Sequence, residues 1–166
     1  MPLFSWALGR RGPRAPGKPW TERDVEAWFC RVAPADVRET LMRLEANGFT
    51  RVSMRGGQNE PFGNALIRLS SRDIDVVISR DRSQWALDFV LPDGTHFDLE
   101  VASAARRGWY SWEKVAWDSP SFPLQWPAAP WALEALLCAN WLRSAPTAVA
   151  ETRAAAAVRK KARWGA

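Results

Sequence analysis

A chain of 166 residues is long enough to bury one sizeable core without external staples, and its 47 % apolar and 25 % charged residues are those of an ordinary globular protein. Two cysteines, Cys30 and Cys138, and a single histidine, His96, argue against both a disulfide framework and a Cys/His zinc site. The formal charge of +5 is unevenly placed: residues 1–60 carry ten basic and seven acidic side chains, 61–105 four and seven, and 106–166 nine and four, so an acidic middle lies between basic flanks.

Residues 1–19 open with a short apolar run ahead of the basic, Pro/Gly-rich "GRRGPRAPGKP". A signal peptide has the reverse order, and no later stretch approaches the roughly 18 apolar residues of a membrane span. A cytoplasmic protein is expected, with 1–19 as a basic arm and 20–166 as a single α+β domain. The arginine-heavy, alanine-rich composition points to a GC-rich genome, a matter of codons rather than function.

A first helix is expected from Thr21, with Glu22 and Asp24 in the turn where the macrodipole favours carboxylates. Val25, Trp28, Phe29 and Val32 make its apolar stripe. Pro34 opens a second helix buried through Val37, Leu41 and Leu44, and Asn47-Gly48 supplies a left-handed stop over which Phe49 folds back. From residue 50 the period changes to two. "TRVSM" pairs with "NALIRL", then Ile74, Val76 and Ile78 alternate, "RDRS" turns the chain, and Trp85, Leu87, Phe89 and Leu91 alternate in reply. Pro92-Asp93-Gly94 leads to a last strand through Phe97, Leu99 and Val101. The result is an antiparallel meander from about 50 to 102 with one apolar face. Residues 106–130 are rich in tryptophan and proline without a period and are expected to cover the sheet as an ordered loop. A helix over 131–143, apolar on several sides through Leu133, Leu136, Leu137, Trp141 and Leu142, should be central. A last helix over about 147–164 ends in "RKKAR".

Three constellations carry functional implications. Gly63-Asn64 followed by Asp73-Ile74-Asp75 resembles the glycine-serine and D-x-D motifs of nucleotidyltransferases, in which two carboxylates on one strand hold magnesium beside a phosphate, with Asp98 or Glu100 as a third ligand. Asn64 stands where that family has serine. Ala27, Val32, Pro34, Val37, Leu41, Leu44, Gly48 and Phe49 resemble a winged helix-turn-helix, which would aim Ala35, Asp36, Arg38 and Glu39 at base edges. "LEANGF", "FGNALIRLSSRDIDVVISRDRSQWALDF" and "GTHFDLEVA", together spanning about 41–104, look like a group of small, mostly uncharacterised actinobacterial α+β proteins with a D-R-G-x-W hairpin, some of which resemble immunity proteins of polymorphic toxin systems. Here Ser83 replaces the hairpin glycine.

The third resemblance implies noncatalytic recognition of another protein, with neutralisation of a toxin as its specific form. It also gives the charge map a use, because an acidic sheet face on a basic protein is a dock for a cationic partner. The residues expected to make that contact are Asp73, Asp75, Asp88, Asp98 and Glu100, with Trp109 and Trp112 as rigid anchors. No G-x-S-x-G, P-loop or G-x-G-x-x-G is present, so no cofactor and no catalytic residue is expected. DNA bound through the basic termini is the alternative partner, and a solvated, functionless acidic face remains an alternative to any dock.

Overall fold

Residues 20–56, 64–81, 84–108 and 131–164 are described by a computed structural model. The basic arm, residues 57–63 with Gly63, residues 82–83 with Ser83, the tryptophan-rich segment from 109 to 130 and residues 165–166 lie outside the described residues. Helix α1 (Glu22–Val32) starts at a reciprocal capping box: the Thr21 hydroxyl accepts from the Asp24 N–H at 3.3 Å, and the Asp24 carboxylate accepts from the Thr21 N–H at 2.9 Å. Its buried stripe is Val25, Trp28 and Phe29; Val32, expected in that stripe, is 36 % exposed, and the next residue, Ala33, is buried instead. Pro34 caps α2 (Ala35–Ala46), which buries Val37, Thr40, Leu41 and Leu44. The helix ends in a Schellman turn. Gly48 takes φ +87°, its N–H donates to the Glu45 carbonyl, and the Phe49 N–H donates to the Leu44 carbonyl at 3.1 Å.

Five antiparallel strands follow in meander order: β1 (Thr50–Gly56), β2 (Ala65–Ser70), β3 (Asp75–Asp81), β4 (Gln84–Val90) and β5 (His96–Asp98). Period-two alternation puts the apolar side chains on one face, where the register aligns Ile67, Ile78 and Leu87 in one row and Leu69, Val76, Phe89 and Phe97 in the next. A bulge between Arg51 and Ser53 bends β1 and leaves Val52 55 % exposed. Arg51, opposite Leu69, reaches the helical layer and pairs with Glu26 of α1 at 2.9 Å and Glu45 of α2 at 2.7 Å.

The chain beyond β5 corrects the expected meander. Leu99 and Val101 do not extend a strand. Asp98 ends β5 and caps α3 (Leu99–Arg106), its carboxylate accepting from the Val101 N–H at 2.8 Å. The alternation Phe97, Leu99, Val101 misleads because α3 is buried almost all round, through Leu99, Val101, Ala102, Ser103, Ala104 and Ala105, so it shows no polar face from which a helical period could be read. Helix α4 (Trp131–Ser144) and helix α5 (Ala148–Trp164) match the two expected C-terminal helices. Of the apolar residues expected on several sides of α4, Leu142 is inside with Ala132, Glu134, Ala135, Cys138 and Ala139, while Leu133 and Leu137 are each 39 % exposed.

All five helices contribute to the core on the apolar side of the sheet, for example through Val25, Val37, Leu99, Ala135 and Ala148. Among the described residues two layers result, helices on one side and strands on the other. Aromatic and cationic groups finish the layer boundary near α1. The Phe29 and Trp85 rings meet edge to face at 5.4 Å, and the Arg80 guanidinium lies 5.6 Å from the Trp28 ring and 5.9 Å from that of Trp85.

Gly56 closes β1 at φ +132°, and a Cβ there would stand 2.5 Å from the Asn64 carbonyl oxygen. Gly56→Ala therefore combines an unfavourable dihedral with a backbone clash and should destabilise the fold by roughly 1–3 kcal/mol. Chemical denaturation of the variant beside the parent measures it. Gly48→Ala, with nothing within 4 Å of its added methyl, should cost only the dihedral term.

Candidate functional site

The second face of the sheet has a different chemistry. Its side chains include the row Arg68, Val77, Asp88, Asp98 and the neighbouring row Ser70, Asp75, Val90, His96, running from β2 to β5. None of these eight residues belongs to the buried core. The sequence-derived acidic set divides across this geometry. Asp75, Asp88 and Asp98 share the face, Asp73 lies exposed in the bend before β3, and Glu100 belongs to the first turn of α3 rather than to the sheet. Trp109 and Trp112 lie outside the described residues.

The three carboxylates on the face are not equivalent. Asp75 accepts two hydrogen bonds from Arg68, one from Nε at 2.8 Å and one from Nη2, so the β2/β3 part of the face is neutralised. Asp98 serves α3 as its N-cap and pairs with Arg159 of α5, which also reaches Glu100 at 3.3 Å. Asp88 has no counter-ion among the described residues and stands directly opposite Asp98 in the β4/β5 register. Like charges facing each other across a ladder are unfavourable. Partial burial pushes the Asp88 carboxyl above the ordinary aspartate value, the charge of Asp98 pushes it further, and His96 opposes them.

A second polar cluster, missed in the sequence, lies inside the helical layer. Glu134 in the first turn of α4 is only 5 % exposed. Its carboxylate accepts from Arg106 at 2.8 Å, from Arg107 at 2.9 Å and from the Ser103 hydroxyl, and the Cys138 thiol lies 3.7 Å away. Burial alone would raise the Glu134 carboxyl; hydrogen bonds from Arg107, Ser103 and Arg106 outweigh it and hold the group below the ordinary glutamate value. The signal available in the sequence was a lone carboxylate within an apolar helix, because such a group must find a cation. Which cation was not legible, since Arg106 and Arg107 are more than 25 residues away.

The cluster ties the end of α3 to the start of α4. It holds the Cys138 thiol as a thiol: burial, and next the Glu134 charge, push it up to about 12. Cys30 is also raised, first by burial and then by Glu26. Neither is an activated nucleophile.

The other sequence constellations fare as follows. Asp73 and Asp75 do not share a strand, and no three His, Cys, Asp or Glu side chains converge in a metal-holding arrangement among the described residues. Arg38, the one cation among the four residues suggested to face DNA bases, donates instead to the carbonyls of Cys30 at 3.3 Å and Ala33, closing the end of α1. Glu39 is paired with Arg43 at 2.7 Å.

Two substitutions separate these environments. Asp88→Asn should stabilise the protein at neutral pH by up to about 1 kcal/mol, by removing the like-charge contact. Because the folded-state carboxyl is raised, its penalty is complete above the folded pKa and vanishes below the unfolded one. The gain should therefore disappear in urea titrations at about pH 3. Glu134→Ala strands two guanidinium groups and should cost about 3–5 kcal/mol. Since the Glu134 carboxyl is lowered, its contribution holds above the unfolded pKa and is lost as pH falls through the folded one, so this difference also narrows in acid.

No protein-family model matches the chain, and no match to it is found among curated proteins or solved structures.

Proposed function

We propose that this chain is a noncatalytic protein-recognition domain that takes a cationic partner on the open face of its sheet, in the cytoplasm, without a cofactor. Toxin neutralisation is the specific form suggested by the resemblance of residues 41–104 to immunity-type proteins. The observation that carries the reading is Asp88: a half-buried carboxylate, opposed in register by Asp98, with no counter-ion among the described residues. Local arrangements that cost stability persist where they serve something else. An arginine or lysine from a partner would neutralise Asp88 and relieve the repulsion at once, so binding recovers what folding gave up. Asp75 and Asp98 flank the contact, with Asp73 and Glu100 at its margins and Trp109 and Trp112 as proposed anchors.

The test compares the parent chain with Asp88→Lys as baits in the native host, after nuclease treatment. The expected outcome is a stoichiometric protein retained by the parent and held about tenfold more weakly by the variant, whose melting temperature stays at or above the parental value. Equal retention by both baits rejects the face. Retention of nucleic acid that nuclease removes transfers the function to the basic termini.

A further inference from the structure

The free edge of the sheet offers a surface of a different kind. β1 is seven residues long and lies at the end of the strand order, so that among the described residues one row of its backbone N–H and C=O groups has no strand beside it. Along that edge, between β1 and the first turns of α1, runs a groove of about 120 Å³ lined by Glu22, Glu26, Arg51, Val52, Ser53 and Met54. An open strand edge beside a helix is the geometry in which an extended peptide adds as a further strand, with its backbone held by the edge and its side chains read by the helix.

The charges of the groove select the occupant. Two of its three charged lining residues are glutamates. Its arginine, Arg51, is already held between Glu26 and Glu45 at 2.9 and 2.7 Å, so it presents no free positive charge. Glu22 is exposed and has no ion-pair partner among the described residues. Val52, turned out by the bulge and 55 % exposed, supplies an apolar contact on the same edge. The bulge also breaks the regularity of the edge, which discourages indiscriminate pairing. We infer that the β1 edge binds an extended cationic segment of a protein partner as a sixth antiparallel or parallel strand, with Glu22, the lining carboxylate that Arg51 does not engage, facing its basic side chains. The inference rests on the protein-recognition reading but uses a separate surface.

A fluorescein-labelled seven-residue peptide of alternating valine and arginine is the probe, titrated by fluorescence anisotropy against the full chain. Three controls accompany it: the same peptide N-methylated at alternate backbone nitrogens in each of the two phases, a valine/glutamate counterpart, and the Glu22→Lys and Val52→Lys variants. The expected result is saturable binding of the basic peptide, loss of binding by one N-methylated phase, and no binding of the acidic peptide. Each variant should bind about tenfold more weakly while staying folded: Val52→Lys, at an exposed position, keeps the parental melting temperature, and Glu22→Lys lowers it by only a few degrees through the helix macrodipole. Equal affinity for both methylated phases and the parent peptide, or variants that bind as the parent does, would overturn strand addition. A concentration-dependent dimer abolished by Val52→Lys, with no peptide binding, would instead place a second copy on this edge and also overturn it. Asp88→Lys should leave peptide binding intact. Failure at β1 while a partner is still lost on Asp88→Lys would leave the recognition reading standing, so the two can fail separately.

Discussion

The fully buried apolar side chains of the sheet project to one side, where the helices of the described residues pack on them, and this constraint organises the molecule. Met54, Ile67, Leu69, Val76, Ile78, Leu87, Phe89 and Phe97 make one continuous apolar floor, and each of the five helices contributes to the core above it. The alternate positions are mixed: Arg68, Asp75, Asp88 and Asp98 stand there beside Leu66, Val77 and Val90, and none of these belongs to the buried core. The hydrophobic effect therefore fixes the layering and leaves the polar face to be governed by charge.

Charges elsewhere in the structure are handled in a consistent way. Arg51 sits between Glu26 and Glu45, Glu134 between Arg106 and Arg107, and Arg159 between Asp98 and Glu100. In each case a central ion removed from water is met by two opposite charges, as its desolvation demands. Each triad also joins elements that hydrophobic contact alone would leave free to slide: β1 to α1 and α2, α3 to α4, and the β5/α3 junction to α5. Asp88 breaks the pattern, since its in-register neighbour carries its own sign. That exception gives the open face its functional interest, whereas the number of acidic residues on it does not. Two of the five carboxylates expected to form an acidic surface, Asp75 and Asp98, are taken up by Arg68 and by the capping of α3.

The two surfaces discussed above differ in what they would ask of a partner. The open face offers fixed side-chain charge on a rigid sheet, which discriminates by position. The β1 edge offers backbone hydrogen bonds with a charged rim, which discriminates by extended conformation and sign. Both proposals place a cationic partner on a chain whose net charge is itself positive, so they rest on local charge and not on the sum of +5.

Local patterns in the sequence determined the elements that depend on near neighbours. The helix start at Thr21, the glycine stop at Gly48, the period-two strands and the two C-terminal helices were all legible because their causes lie within a few residues. So was the one-sidedness of the sheet. Tertiary structure alone decided three matters. It turned Leu99 and Val101 from strand into helix, because burial on all sides erased the polar face that marks a helix in sequence. It set which side of the all-round apolar α4 lies innermost, burying Ala132, Ala135, Cys138, Ala139 and Leu142 and leaving Leu133 and Leu137 partly exposed, because α4 packs against α2 and α3. And it settled which acidic residues are already neutralised, because ion-pair partners such as Asp98 and Arg159, or Glu134 and Arg107, are brought together only by the packing of distant elements. Sequence gives the charges and their faces; the register and the packing decide which of them are left for a partner.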